Sequence, residues 1–409
     1  MFSAGPDPEL KTARTLAALL DAAGMAPAGL ARRTHISAAE VSNIQHGRRP
    51  GGRRWAALAD AVLDAGGALS AAWEADEQTR RTRRLLTAAT ATAEELLTAP
   101  GAGPADAAGQ QIAAMAVDYL HLRAPGGPLL TAAAGLQREL ARRLRTRDCR
   151  GGELRELQAA AGRVSGIIAY AALDLGRPAA AAVNANAAYR MGERARMGEL
   201  QAWARGTESL IARYERDYPR AEALARDGLR HAGKRSGTAG LRLLAGAAQC
   251  RANLGDEAGA TALLDEAAAQ RRACRPRDQV SGLFAFSGAK QRYYGGSSLM
   301  WLPGRAALAR AAADSAAAIA MWDDGPDATR SVADQALARV YAATALARAG
   351  DLDGAMAAAT PVLGLPAPSR ISWLRRRVSE LAAIVSSGRY TGSAAGRQYA
   401  QALREWAAA

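Results

Sequence analysis

Apolar residues recur along this chain every three to four positions, which is the spacing of an amphipathic helix. Segments that combine period-two alternation with β-branched or aromatic residues are few, so a sheet is not expected. From about residue 110 onward, Ala- and Leu-rich segments follow one another, separated by Gly, Pro and Asp. The pattern predicts an all-α protein.

The segment 27–47, PAGLARRTHISAAEVSNIQHG, predicts two short helices joined by a tight turn. Ser37 opens the second helix, and Glu40 three residues later completes a capping box. Gly47 stands where a helix usually ends in the left-handed conformation. The residues expected to pack between the two helices are Leu30, Val41 and Ile44.

The residues LARRTHISAAEVSNIQHGRRP (30–50) resemble the helix-turn-helix of the Cro-repressor-like, or XRE, family of DNA-binding domains. The match extends from about Leu10 to Trp73, which is enough for that family's five-helix domain. The resemblance implies that the second helix of the motif binds duplex DNA sequence-specifically. By position it assigns base reading to Ala38, Ala39 and Asn43, with Ser37 and Ser42 beside them.

This chain departs from the family pattern because two of the three reading positions are Ala. An Ala side chain can contact only a thymine methyl group, whereas Asn can make two hydrogen bonds to adenine. Asn43 is therefore the one side chain of the three that can bond a base edge in bidentate fashion.

Basic residues concentrate around this segment. The chain has 53 Lys and Arg against 39 Asp and Glu, a formal net charge of +14. Between residues 32 and 54 only Glu40 opposes the basic side chains. The arginines expected to contact DNA phosphates are Arg32, Arg33, Arg48, Arg49, Arg53 and Arg54. The alternative is that each belongs to an ordinary solvated surface.

The chain divides into three parts in this interpretation. Residues 8–78 form the DNA-binding domain, and 79–109 a helical linker that contains TRRTRRLL (79–86) and the Pro- and Gly-containing stretch 98–108. Residues 110–409 form a helical sensor and dimerisation domain.

A repeated unit occurs within that last part. Each copy has a helix, a turn marked by Gly or Asp, and an Ala-rich second helix. The copies lie at 173–190, 214–231, 251–268 and 346–363, and a degenerate copy ends in 308–322. The repeats resemble a tetratricopeptide-repeat (TPR) solenoid, and an irregular all-helical domain is the alternative.

The concave surface of such a solenoid usually binds a peptide or another protein. The candidate lining residues are Tyr170, Asn184, Tyr189, Trp203, Glu208, Arg213 and Tyr214, although at helical spacing such residues are also typical of a core. The segment 280–304 is rich in aromatic residues and Gly. It predicts a ligand-contacting insertion, a dimer contact or a connection packed into the core.

Several classes of function find no support in the sequence. No nucleophile elbow, phosphate loop or zinc-protease motif is present, so an enzyme is not expected, and neither is a cofactor or metal. No apolar run is long enough to span a membrane, and the N-terminal residues do not read as a secretion signal. A cytoplasmic protein is expected.

The combination resembles actinobacterial helix-turn-helix regulators with TPR sensor domains, and in architecture the peptide-pheromone receptors of the RRNPP group. That resemblance implies a homodimeric quorum-sensing type of transcriptional regulator, which binds an inverted-repeat operator and responds to a peptide or small-molecule effector. The alternative is a TPR interaction scaffold with a non-specific DNA tether.

Overall fold

The computed structural model describes residues 10–98, 106–121, 127–145, 151–233, 237–274, 278, 280–325 and 330–408. These residues form nineteen α-helices and a few 3-10 turns, with no β-strand among them, and the all-α prediction is confirmed. They fall into two compact units, the first ending at Leu85 and the second beginning at Leu86.

The first unit contains α1 (Lys11–Ala22), α2 (Pro27–Thr34), α3 (Ala38–Gln45), α4 (Arg53–Leu63) and the first part of α5 (Ala68–Thr98). Its core residues are Leu16, Leu20, Leu30, Ala31, Val41, Ile44, Trp55, Ala56, Ala59 and Leu69. Two buried carboxylates hold helix starts: Asp60 accepts hydrogen bonds from the first-turn N–H groups of α5, and Asp76 from those of α1. Such bonds satisfy N–H groups that have no partner inside their own helix.

Helix α5 continues through the predicted TRRTRRLL segment and ends at Thr98. The boundary between the two units therefore falls within a helix. Most of the predicted 98–108 linker, residues 99–105, lies outside the described residues.

The second unit begins with the end of α5 and with α6 (Asp106–His121) and α7 (Pro128–Arg145). Six consecutive helix pairs follow: α8 (Gly151–Asp174) with α9 (Pro178–Arg194), α10 (Gly198–Tyr214) with α11 (Tyr218–His231), α12 (Ala239–Asn253) with α13 (Glu257–Cys274), α14 (Gly288–Leu299) with α15 (Arg305–Asp323), α16 (Val332–Ala349) with α17 (Leu352–Leu363), and α18 (Ser372–Val385) with α19 (Ala394–Ala408). Within each pair the helices contact each other, and each first helix also contacts the first helix of the next pair.

The predicted repeat turns lie between the helices of these pairs. Gly176, Gly255 and Gly350 have φ values of +70°, +84° and +103°, a region that side chains with a Cβ rarely adopt. Asp217 instead caps α11 by accepting a hydrogen bond from the Arg220 N–H at 3.1 Å. Residues 308–322 lie within α15, so the degenerate copy corresponds to the α14–α15 pair.

The last helix pair contacts the first two pairs. The Ser372 hydroxyl donates to the Leu173 carbonyl at 2.8 Å, and the rings of Tyr214 and Trp373 lie 5.1 Å apart. Helix α6 packs against α8 and α16. A common interior region is therefore surrounded by the first helices of the pairs, by α6 and by the segment 280–304. None of the described helices is both long and apolar enough to cross a membrane.

Candidate nucleic-acid interface and candidate ligand cavity

The turn between α2 and α3 is built by local hydrogen bonds that the sequence predicts. Helix α2 ends at Thr34, and His35 adopts a left-handed conformation with φ of +56°. The Ser37 hydroxyl accepts a hydrogen bond from the Glu40 N–H at 3.1 Å, which caps α3. At the other end Gly47 has φ of +68°, and the Arg48 N–H donates to the Asn43 carbonyl at 2.8 Å. The predicted start and end of this helix are confirmed.

Burial separates the two faces of α3. Val41 and Ile44 are buried in one cluster with Leu30, as predicted from their spacing. On the other face Ser37, Ala38 and Ala39 are exposed, and Ser42 and Asn43 are partly exposed. Because residues four apart lie next to each other on a helix, Ala39 and Asn43 share one strip, and Ala38 and Ser42 share another.

The polar groups on this exposed face have few partners within the protein. The Asn43 amide makes no hydrogen bond with another residue that the structure describes. His46, directly after α3, has its Nδ1 atom 2.7 Å from the Ser42 carbonyl, which turns that ring back along the helix. The outer strip of α3 therefore presents small side chains and one amide with free donors and acceptors.

The six predicted phosphate-contacting arginines are all exposed. They lie in the last turn of α2 (Arg32, Arg33), just after α3 (Arg48, Arg49) and in the first turn of α4 (Arg53, Arg54). Among the described residues only Arg53 has an acidic partner, Glu74 at 3.3 Å, and both side chains of that pair are mostly exposed. Cations at a helix N-terminus oppose the helix dipole, so local helix stability does not account for the pair on α4.

Two tryptophans hold the end of α2 and the loop that carries Arg48 and Arg49. Trp55 of α4 donates through Nε1 to the Thr34 hydroxyl at 3.3 Å, and Thr34 donates to the Leu30 carbonyl at 2.9 Å. Trp73 of α5 donates to the Gly51 carbonyl at 3.3 Å. These bonds tie α4, α5 and the loop after α3 to the α2–α3 pair.

A second candidate site is a cavity of about 90 Å³ inside the second unit. Six aromatic side chains line it: Tyr119, Tyr170, Phe286, Tyr293, Tyr294 and Trp373. The polar lining residues are Asp174, Arg242, Lys290, Ser331 and Asp334. The charged residues come from four different helix pairs, at α8, α12, α14 and α16.

Asp174 has an unusual acidity for a carboxyl group. Burial raises its pKa to about 7, against the lowering effect of the hydrogen bond that the Tyr119 hydroxyl donates to it. The negative charge of Asp334 raises this pKa further, and Lys290 lowers it. Asp334 lies 3.6 Å from the Lys290 ammonium group. Two carboxyl groups and one ammonium group thus act on one another in this part of the cavity.

Arg242 forms another part of the wall and is only 5% exposed. Its guanidinium donates to three neutral acceptors: the Trp203 carbonyl at 2.8 Å, the Tyr170 hydroxyl at 2.6 Å and the Thr207 hydroxyl at 3.1 Å. The same group lies over the rings of Tyr170 and Trp203, at 5.6 and 5.0 Å from their centres. These contacts hold Arg242 against the aromatic wall.

Four of the seven predicted groove residues lie at or behind this cavity. Tyr170 lines it, and Trp203 packs behind Tyr170 with ring centres 5.7 Å apart. Arg213 is buried beside Tyr294, with its guanidinium 5.3 Å from that ring. Tyr214 stacks on the lining residue Trp373.

The other three predicted groove residues lie elsewhere. Asn184 is fully buried and accepts a hydrogen bond from Gln137 at 3.0 Å. Glu208 is paired with Arg205 at 2.5 Å, and the Arg205 guanidinium lies 3.6 Å from the centre of the Tyr189 ring. The structure does not bring the seven residues together in a single groove.

Sequence reasoning did not single out Tyr119, Asp174, Arg242, Lys290 or Asp334. It did single out the segment 280–304, which contributes Leu283, Ala285, Phe286, Lys290, Tyr293 and Tyr294 to the cavity wall. The signal was the concentration of aromatic residues in an Ala-rich chain. No comparable local signal marks the two aspartates, because each lies near an ordinary helix end.

Comparisons of the chain with protein-family models, with curated proteins and with solved structures give no match.

Proposed function

We propose that this protein is a sequence-specific DNA-binding transcriptional regulator. In this proposal the first unit is a helix-turn-helix domain of the XRE type, with α3 as its recognition helix. The observation that carries the proposal is the outer face of α3, where small side chains and a free Asn43 amide are flanked by exposed arginines.

The shape of that face suits a major groove. Ser37, Ala38, Ala39 and Ser42 are small, so the helix backbone can approach base edges closely. Asn43 then supplies one donor and one acceptor, the pair of groups that matches adenine. A single good pair of this kind discriminates against a wrong base by about 1–3 kcal/mol.

The arginines support a DNA partner independently of the reading helix. Five of the six have no acidic partner among the described residues, and two stand at the start of α4, where the helix dipole disfavours them. Phosphate groups would neutralise these charges and fix the position of the domain on the duplex. Binding through several such contacts falls steeply with rising salt concentration.

The second unit is proposed as a TPR-like effector and dimerisation domain of a cytoplasmic homodimer. Its support is the succession of six helix pairs and the cavity that their first helices enclose. A dimer reads an inverted repeat when its two recognition helices lie about one turn of DNA apart. An effector, either a peptide or a small molecule, shifts DNA affinity when it prefers one arrangement of the helix pairs.

Selection of duplexes from a random pool by the full-length protein tests this proposal. Wild type should enrich an inverted repeat, and Asn43→Ala should relax the preference at one base pair per half-site. Asn186→Ala, on α9 of the second unit, is the matched control and should leave the enriched sequence unchanged. Arg48→Ala should weaken binding to all duplexes alike and reduce the slope of affinity against salt by about one per protomer. Arg220→Ala on α11 is the control and should change neither the affinity nor the slope.

One observation favours a second candidate, a TPR-like interaction scaffold with a non-specific DNA tether. Two of the three reading positions, Ala38 and Ala39, have no hydrogen-bonding group. In that case the same selection yields no preferred sequence, and Asn43→Ala binds as wild type does.

A further inference from the structure

The cavity of the second unit combines an aromatic lining with an uneven distribution of its two carboxyl groups and two cations. Asp174 and Asp334 both line it, and among the described residues Lys290 is the one ammonium group that lowers the pKa of Asp174. All three side chains are partly buried, and holding two carboxylates beside one cation in such a place leaves one negative charge without a nearby partner, which is costly. The protein avoids part of this cost by holding a proton on Asp174, as its pKa of about 7 indicates.

The other cation of the wall, Arg242, equalises the number of acidic and basic lining groups but forms no ion pair with either carboxyl group. Arg242 faces neutral oxygen atoms and the rings of Tyr170 and Trp203, and it is not among the groups that shift the pKa of Asp174. The titratable and charged groups that line the cavity with the two carboxyls are Tyr119 on α6, Tyr170 on α8, Arg242 on α12, and Lys290, Tyr293 and Tyr294 on α14.

The aromatic residues give the cavity a second, independent preference for a cation. The faces of Tyr and Trp rings attract cations, and more strongly when the ring is shielded from water. Tyr293 and Tyr294 are both at least 92% buried, since their exposed fractions are 8% and 7%. The cavity wall also contains Phe286, Leu337 and Ile371, which favour an apolar group on the same ligand.

We propose that this cavity binds a small organic ammonium ion, with its nitrogen between Asp174 and Asp334 and its apolar part against the aromatic wall. This names the effector class and rests on the proposed regulatory function. Carboxylate oxygens accept hydrogen bonds, so an ammonium ion that carries N–H groups fits better than a quaternary one.

The size of the cavity limits the ligand. A dry cavity of about 150 Å³ accommodates benzene, so 90 Å³ corresponds to about four non-hydrogen atoms. Butylammonium, with its four carbons and one nitrogen, is close to that size, and butyrate and butanol are its anionic and neutral counterparts. The three compounds therefore differ in charge at the functional group and little in shape.

Binding also moves a proton. A ligand cation beside Asp174 stabilises the carboxylate, so Asp174 loses its proton to the buffer when the ligand binds near pH 7. The ligand keeps its own N–H groups, and no bond within it is formed or broken.

Isothermal titration calorimetry of the full-length protein with butylammonium, butyrate and butanol tests the proposal. The experiment is done without DNA, in two amine-free buffers of different ionisation enthalpy. Butylammonium should bind and release a fraction of a proton, and the other two compounds should bind at least tenfold more weakly. Asp174→Asn should abolish the proton release and weaken the binding of butylammonium at least tenfold. Asp334→Asn should likewise weaken the binding of butylammonium at least tenfold.

The control variant is Asp118→Asn, which changes an exposed carboxyl on α6 next to Tyr119 and should bind as wild type does. If an Asp variant does not fold, the comparison of the three compounds on wild type still decides. Stronger binding of butyrate would assign the cavity to anions through Arg242 and Lys290 and overturn the proposal, and so would binding of none of the three. Either result leaves the DNA selection above unaffected, so the two proposals fail separately.

Discussion

Asp174 should make the second unit less stable as the pH rises, and Asp174→Asn should remove this dependence. The raised pKa means that the folded state holds a proton that the unfolded state has lost between the two pKa values, 3.8 and about 7. The contribution of Asp174 to the stability is therefore highest below about pH 4, and it falls as the pH rises to about 7.

The magnitude follows from the size of the shift. About three pKa units correspond to about 4 kcal/mol at the alkaline end, of which about 3 kcal/mol are lost between about pH 5 and pH 8. These figures are upper limits, because Asp174 borders a cavity that can hold water. In the Asn variant the Tyr119 hydroxyl can still donate to the side-chain oxygen, so the local geometry is retained.

Thermal unfolding of both full-length proteins, followed by circular dichroism in phosphate–citrate buffers, measures the effect. These buffers contain no amine that could occupy the cavity. The Tm of Asp174→Asn minus that of wild type should increase by about 5 °C from about pH 5 to pH 8. This value takes a shift of roughly 2 °C per kcal/mol for a large domain. Asp118→Asn serves as the control. A gap that stays constant over this range would show that Asp174 titrates normally and would refute the reasoning about its burial.

Three further predictions concern packing and helix ends. Ser37→Ala should destabilise the first unit by about 1 kcal/mol through loss of the α3 cap, whereas Ser37→Asn should retain the stability, as urea titration of the full chain would show. Leu30→Ala should cost about 3 kcal/mol in the same assay, since Leu30 is fully buried; a cost below about 1 kcal/mol would contradict the assigned core. Gly166→Ala would place a Cβ 2.5 Å from the Trp203 ring and should lower Tm, while Gly135→Ala, whose Cβ would meet no atom within 4 Å outside its own stretch of helix, should not.

The sequence predicted most of the features that depend on residues close together in the chain. It predicted the α3 cap by Ser37, the end of α3 at Gly47 and the buried position of Val41 and Ile44, because capping and helical periodicity operate over three to four residues. The same holds for the turn glycines Gly176, Gly255 and Gly350 between paired helices. The exposed arginines could likewise be found, since long charged side chains in turns and helix ends seldom become buried.

The cavity depended on contacts between distant parts of the chain. Tyr119 and Asp174 are 55 residues apart, and the contact of Ser372 with Leu173 joins residues separated by 199 positions. For the same reason Tyr170 faces the cavity while Asn184 and Glu208, predicted with it, lie elsewhere. Which side of a helix becomes a cavity wall rather than a core contact is decided by how neighbouring helices pack, and no local spacing encodes it.

What the sequence by itself determined is therefore the all-α class, the helix ends and the exposed outer face of α3. Only the tertiary structure placed Asp174, Lys290 and Asp334 around one aromatic-lined cavity. The physical reason is that the pKa of a carboxyl depends on burial and on charges nearby in space, and both are properties of the packed helices rather than of the residues on either side of it in the chain.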